Sequence, residues 1–140
     1  MNSRDEMKDD QNEVYAYFTI TGDFDPAEIT QRVGVEPTDA WMKGDLHGKK
    51  KTEYKFSRWS LCSRLPRTDS LEKHVTDVLE QMSENKEGFR KVSVENGGCM
   101  QLVGIFNVDY PGLHFESELT NGLAEFSLSV DFDFYHCWDS

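Results

Sequence analysis

The segment VYAYFTITGDFDPAEITQRVG, residues 14–34, sets the architecture of the chain. Its first seven residues are rich in aromatic and β-branched side chains, which predicts a central strand over 14–20 with both faces at least partly buried. Asp25 can cap a helix, Pro26 suits the first helical position and Glu28 completes a capping-box arrangement. Gly34 can supply the left-handed C-cap. A strand therefore leads into a helix of about two turns.

After a long connection over residues 35–53, the next predicted strand is 55–61, with Trp59 and Leu61 on one face. A long helix is expected from Ser70, because apolar residues recur at helical spacing, and Gly88 is expected to end it. The apolar stripe consists of Leu71, Val75, Val78, Leu79 and Met82.

The C-terminal part of the chain predicts a short strand at 92–94 and a central strand at 100–108. A short helix is expected from Ser117. Residues 126–134 alternate between apolar and polar side chains, which predicts a strand with one buried face. The residues expected to point inward are Phe126, Leu128, Val130, Phe132 and Phe134.

These elements predict an α+β fold: a two-layer sandwich of a mostly antiparallel sheet of four to five strands with two to three helices. Two similar strand–helix–strand units flank the long helix, which favours a ferredoxin-like arrangement with that helix inserted as a narrower alternative. Residues 1–12 are polar and are interpreted as a disordered tail, and residues 13–140 as a single α+β domain.

The chain resembles a bacterial family known only as a domain of unknown function. The resemblance rests on F-x-I-x-G-D-x-D-P-x-x-I-T-x-x-x-G-V-x-P from Phe18, on W-x-K-G-D from Trp41, on Trp59-Ser-Leu and on the closing strand 129–135. It covers residues 14–135. The basic run 49–51 and the terminal His136 and Cys137 depart from it. The resemblance implies a compact fold and a bacterial origin, and it implies no catalytic role.

Composition narrows the class of partner. The net charge is −11, from 15 basic and 26 acidic residues, so the surface repels phosphate backbones and nucleic acid is not an expected partner. The N-terminus carries no apolar signal segment and no apolar run reaches about eighteen residues, so no membrane association is expected. Three cysteines without C-x-x-C spacing favour reduced thiols in the cytoplasm.

The candidate site is the loop with Trp41, Lys43 and Asp45, where a tryptophan, a lysine and a carboxylate could hold a ligand or partner by stacking and an ion pair. The competing interpretation is that Trp41 covers the sheet and residues 43–45 form a turn. Asp23 and Trp59 are secondary candidates, Trp59 being more typical of a core residue.

No catalytic residue, metal ligand or cofactor is assigned. Asp23 and Asp25 lack the further acidic ligands of an EF-hand, and His136 and Cys137 are adjacent and would point opposite ways in a strand. The sequence therefore favours a cytoplasmic binding or interaction module without catalytic activity, such as an immunity-type or accessory protein. Its partner would be another protein, and the chain a monomer or homodimer. The alternative is a small-molecule sensor or enzyme with a pocket near Trp41–Asp45.

Overall fold

Five strands form one sheet in the computed structural model of the chain, which describes residues 11–49 and 51–137. In chain order the elements are β1 (Glu13–Gly22), α1 (Pro26–Val33), β2 (Asp39–Trp41), β3 (Ser57–Cys62), α2 (Leu71–Met82), a 3-10 turn (Ser83–Asn85), α3 (Lys86–Asn96), β4 (Cys99–Phe106), α4 (Ser117–Glu125) and β5 (Ser129–His136). The α+β class is thereby confirmed.

The strand order is β2-β3-β1-β4-β5, with every neighbouring pair antiparallel except β4 and β5, which are parallel. The predicted central positions of β1 and β4 are confirmed. Helix α2, the 3-10 turn and α3 follow one another directly over residues 71–96, and Asn85, with φ −148° and ψ 77°, marks the junction before α3.

The predicted opening of α1 is confirmed in detail. An Asp25 side-chain oxygen accepts from the Ala27 backbone N–H at 3.0 Å, and Pro26 occupies the first helical position. Gly34 adopts φ 72°, the left-handed conformation that closes the helix. Asp25 therefore begins a helix, which leaves its carboxylate committed to the backbone.

The core lies between the helices and one face of the sheet. The alternate β1 residues Val14, Ala16, Phe18 and Ile20 point into it, and β3 and β4 contribute Trp59 and Leu102. Phe89 of α3 packs edge-on against both Phe18 and Trp59, at ring-centroid distances of 5.7 and 5.9 Å. Buried residues of all four helices belong to the same core cluster.

The prediction that Gly88 ends the long helix, with a strand at 92–94, is wrong. Gly88 lies inside the first turn of α3, where its N–H is capped by Asn85, and residues 92–94 are helical. A Cβ at position 88 would stand 2.8 Å from the Arg32 carbonyl oxygen. Glycine at this position therefore allows α1 and α3 to approach closely, a contact that residue spacing in the sequence does not predict.

The last strand differs from the prediction as well. It spans 129–136, after Ser127 turns the chain with φ 56°, and Phe126 is buried at the end of α4. Phe132 and Phe134 were expected to be buried, yet they are 56% and 37% exposed. Because β5 is an edge strand, its apolar side is only partly covered by the helical layer.

The two strand–helix–strand units are not equivalent in pairing. A ferredoxin-like sheet uses two split units. Here β1 and β3 are antiparallel neighbours, whereas β4 and β5 are parallel neighbours joined through α4. The similarity of the two units in sequence does not extend to strand order.

Of the predicted disordered tail, residues 1–12, the first ten residues lie outside the described part of the chain. Gln11 and Asn12, in contrast, are hydrogen-bonded: the side chain of Asn107 donates to the Gln11 carbonyl at 2.7 Å, and its backbone N–H donates to the Asn12 side chain at 2.8 Å. Across 11–49 and 51–137, none of the helices combines the length and apolar character that crossing a bilayer requires.

Candidate functional site

The candidate site is the face of the sheet turned away from the helices, called here the open face. On β1 it carries the alternate residues Tyr15, Tyr17 and Thr19, which lie between their neighbours on β3 and β4. The strand register extends this face from Trp41 and Arg58 at one side to Asp131 and Asp133 at the other. The core cluster contains no residue of this face among those described.

Arginine and aromatic side chains alternate across one half of the open face. The Arg58 guanidinium lies 5.3 Å from the Tyr17 ring centroid and 5.2 Å from that of Trp41. The Arg67 guanidinium lies 4.4 Å from the Tyr15 ring, and the Tyr15 and Tyr17 rings stack at 6.2 Å. These five residues form the arginine–aromatic ladder.

The two guanidinium groups of the ladder are not neutralised by ion pairs within residues 11–49 and 51–137, where the salt bridges involve other cations. Arg58 donates from Nε to the Ser60 hydroxyl at 3.0 Å, and that hydroxyl also contacts the Thr19 hydroxyl at 3.0 Å. Each cation–π contact at an exposed site contributes about 0.5–1 kcal/mol. The rings and hydroxyls therefore hold the guanidiniums in place while leaving their charge available.

The opposite side of the open face is acidic. Asp131 and Asp133 lie on β5, in register with Gln101 and Val103 of β4. A hydrogen bond with Asp133 and its negative charge raise the pKa of Tyr135. Burial raises the pKa of Tyr15, and Arg67 opposes that rise. The face thus carries the positive charge of Arg58 and Arg67 beside β1 and β3, a carboxylate, Asp39, on β2, and negative charge on the β5 side.

Arg67 is positioned by a loop that is fastened at two points. The Arg67 carbonyl accepts from the Val14 N–H at 2.8 Å, at the start of the central strand. Three residues earlier, Arg64 bonds the Asp77 carboxylate of α2 through its backbone N–H at 2.8 Å and through Nη2 at 2.7 Å. Burial tends to raise the pKa of Asp77, but the bonds from Arg64 outweigh it and the net pKa is lowered.

Residues 41–45 form a structured turn. Asp45 accepts from the Met42 N–H at 2.9 Å through its side chain, and Gly44 adopts φ 93°. Trp41 donates from its indole N–H to the Phe56 carbonyl at 3.1 Å and stacks on Tyr54 at 4.3 Å. Asp45 is therefore a turn-forming residue, whereas Trp41 presents its other ring face to Arg58.

The remaining predicted site residues, Lys43, Asp23 and Trp59, lie in two different environments. Lys43 Nζ lies 3.6 Å from an Asp23 carboxylate oxygen, so these two predicted residues are brought together in an exposed ion pair beside the open face. Trp59 is fully buried, and its indole N–H donates to the Thr30 hydroxyl at 3.0 Å. It is therefore a core residue, and its prediction as a contact residue is corrected. Adjacent strand residues point to opposite faces, which puts Arg58 on the open face and Trp59 in the core.

Sequence reasoning missed most of the ladder. Tyr15, Tyr17, Arg58 and Arg67 were not singled out, because each is unremarkable within its own strand or loop. The available signal was the alternation of Tyr15 and Tyr17 with the core residues of β1. Their proximity to Arg58 and Arg67 depends on strand pairing and on the path of the loop after β3, neither of which local sequence states.

Cys62 and Cys99 border Tyr17 and Thr19 on the open face. Burial raises the pKa of both thiols, which keeps them protonated and lowers their nucleophilicity. No three His, Cys, Asp or Glu side chains converge as metal ligands in the described ranges.

A groove of about 800 Å³ lies between α2 and α4, on the helical side of the molecule and away from Trp41. Five of its thirteen lining residues are glutamates, and the Glu72 side chain accepts from the His114 backbone N–H at 3.3 Å. The acidic residues of the groove are Glu72, Glu80, Glu116, Glu118 and Glu125.

The fold and its surface define a class: a two-layer α+β domain whose sheet leaves one face uncovered. Residues 12–136 match the model of the domain of unknown function DUF4279. The chain belongs to this family, which confirms the resemblance seen in the sequence. No curated protein and no solved structure shows significant similarity to it.

Proposed function

We propose that this protein is a cytoplasmic, non-catalytic binding module that recognises another protein through the open face. The observation that supports this most strongly is the arginine–aromatic ladder on a sheet face that no described helix covers. Tyrosine, tryptophan and arginine are the residue types that dominate the energetics of protein interfaces. Five of them are placed together here.

The ladder also favours a particular chemistry in the partner. A guanidinium presents a rigid fork of donors that matches a carboxylate bidentately. Arg58 and Arg67 are already ordered against rings, so a partner carboxylate would meet them at a reduced entropic cost. The partner surface is therefore expected to combine carboxylates with apolar side chains, and the chain itself would be an immunity-type or accessory protein.

The alternative function is a small-molecule sensor or enzyme with a pocket beside Trp41–Asp45. It receives less support because Asp45 is used by its turn and Lys43 faces Asp23. The groove of about 800 Å³ lies on the other side of the molecule. The experiment that tests the proposal also distinguishes this alternative.

The test uses the full chain as bait for crosslinking and affinity capture, followed by titration of the captured protein in purified form. Arg58→Ala and Tyr17→Ala should each weaken binding at least tenfold, which corresponds to about 1.4 kcal/mol. Arg90→Ala is the matched control, since Arg90 is exposed on α3 and lies away from the open face. Unchanged affinity in both ladder variants would refute the assignment, and so would tight binding of a metabolite with no protein partner.

A further inference from the structure

The outer edge of β5 is a second candidate contact surface, distinct from the open face. We propose that two copies of the chain associate through antiparallel pairing of β5 with β5 across a two-fold axis. This goes beyond the proposed function, because the ladder lies on the open face while this contact uses the strand edge. The partner is a second copy of this chain.

The backbone of β5 offers hydrogen-bonding groups on its outer side. The backbone N–H groups of Ser129 and Cys137 donate to the Gly98 and Phe106 carbonyls at 3.1 and 2.8 Å. The backbone N–H and C=O groups of the odd-numbered β5 residues therefore point toward β4. Because N–H and C=O groups alternate in direction along a strand, those of Phe132 and Phe134 point away from β4. In the described part of the chain, no strand pairs with that side.

The two edges of the sheet are protected to different degrees. At the β2 edge the strand has three residues, and its Trp41 is covered by Tyr54. β5 has eight residues and contains neither proline nor lysine, and its only charged side chains among these residues are Asp131 and Asp133 on the open face. Phe132 and Tyr135 are 56% and 50% exposed on its two sides.

The exposed aromatic residues form one continuous cluster beside the edge. Phe132 and Phe134 meet edge-on at 5.6 Å, and Phe134 meets the buried Phe106 at 5.0 Å. A second β5 would add its own Phe132 and Phe134 to this cluster. Aromatic pairs across strands contribute about 0.2–1 kcal/mol each relative to alanine.

The two aspartates of β5 select the register of such a pair. Pairing centred on Phe132 would place Asp131 opposite Asp133, and pairing centred on Asp133 would place that carboxylate opposite its own copy. Pairing centred on Phe134 instead places Asp133 opposite Tyr135 and Asp131 opposite Cys137. Like charges directly opposite are destabilising, so of these three registers the one centred on Phe134 is favoured.

Each chain carries a net charge of −11, so the two copies repel one another at long range. Added salt screens that repulsion, and the dimer should therefore strengthen as ionic strength rises. The paired sheets would be continuous, and both ladders would lie on the same side. A target with two sites, or two linked targets, would then be bound bivalently.

The test is light scattering coupled to size-exclusion chromatography on the full chain at about 100 μM, where a micromolar Kd gives mostly dimer. The expected mass is twice 16.2 kDa for the unmodified chain. Tyr135→Asp should return the mass to that of the monomer, because it opposes Asp133 of the second copy. Adding Asp133→Lys to Tyr135→Asp should restore the dimer, because the opposed pair then attracts.

Val94→Asp is the matched control, since it adds the same charge to an exposed apolar residue on α3 and should leave the dimer intact. Phe132→Pro removes an outward N–H without touching the bonds to β4, and it should also give a monomer with an unchanged circular dichroism spectrum. A monomeric unmodified chain at this concentration would overturn the proposal. A dimer that survives both Tyr135→Asp and Phe132→Pro, or one that the double variant fails to restore, would overturn it equally.

Discussion

Replacing Asp77 with asparagine tests how the loop that carries Arg67 is held. The Asp77 side chain is 9% exposed and accepts three kinds of hydrogen bond. The donors are the Arg64 backbone N–H at 2.8 Å, the Arg64 guanidinium through Nη2 at 2.7 Å and Nε at 3.2 Å, and Gln81 Nε2 at 3.1 Å. Asparagine keeps the size of the side chain, removes the charge and leaves one oxygen as acceptor.

The magnitude follows from these bonds. A hydrogen bond to a charged group contributes about 1.5–3 kcal/mol against about 0.5–1.5 kcal/mol for a neutral one. The backbone and Gln81 bonds therefore each lose roughly 1 kcal/mol. The Arg64 side chain is 63% exposed, so water replaces much of the contact and the loss of its ion pair adds little. We expect Asp77→Asn to lower the free energy of unfolding by about 2–3 kcal/mol near neutral pH.

The pH dependence of this difference has a definite sign. The pKa of Asp77 is lowered in the folded state, so the folded chain binds this proton less tightly than the unfolded chain. Its contribution is present above the unfolded pKa of about 3.9 and is lost as pH falls through the folded value. The gap between the original chain and Asp77→Asn should therefore narrow in acid.

Urea unfolding followed by tryptophan fluorescence, at neutral pH and again near pH 3, measures both quantities. Glu95→Gln is the control, because the Arg32–Glu95 pair is a surface pair whose removal should lower the free energy of unfolding much less than Asp77→Asn does. If Asp77→Asn costs no more than this control, or if its cost is the same at both pH values, the reasoning is wrong.

Three further predictions concern the core and the caps. Burial lowers the pKa of His74, so the stabilising effect of the neutral side chain is present above about pH 6.5 and is lost as pH falls. His74→Leu should therefore flatten the pH dependence of the free energy of unfolding, measured with urea between about pH 7.5 and 5.5. An unaltered pH dependence would contradict this. Trp59→Phe removes the bond to Thr30 and leaves a small cavity, so the urea midpoint should report a loss of about 2 kcal/mol. Gly34→Ala has open space but φ 72°, so calorimetry should show a loss of about 1 kcal/mol from the backbone alone.

Local chemistry accounts for the parts of this fold that were predicted well. The β1–α1 opening is specified by Asp25, Pro26 and Gly34, whose effects act within a few residues and do not depend on the rest of the chain. The same holds for the apolar stripe of α2. Sequence also determined the acidic charge and the family, since both are properties of the residues themselves.

Tertiary structure decided the features that depend on neighbours distant in sequence. Gly88 was misinterpreted because its reason is the carbonyl of Arg32 on another helix. The exposure of Phe132 depends on β5 lying at the edge of the sheet, which its alternating pattern does not encode. The ladder arises only when strand pairing and the loop after β3 bring Arg58 and Arg67 onto the tyrosines of β1. Sequence thus determined which segments form strands and helices, because propensity and capping are local, whereas the candidate site required the pairing of strands, because its contacts join residues that are far apart in the chain.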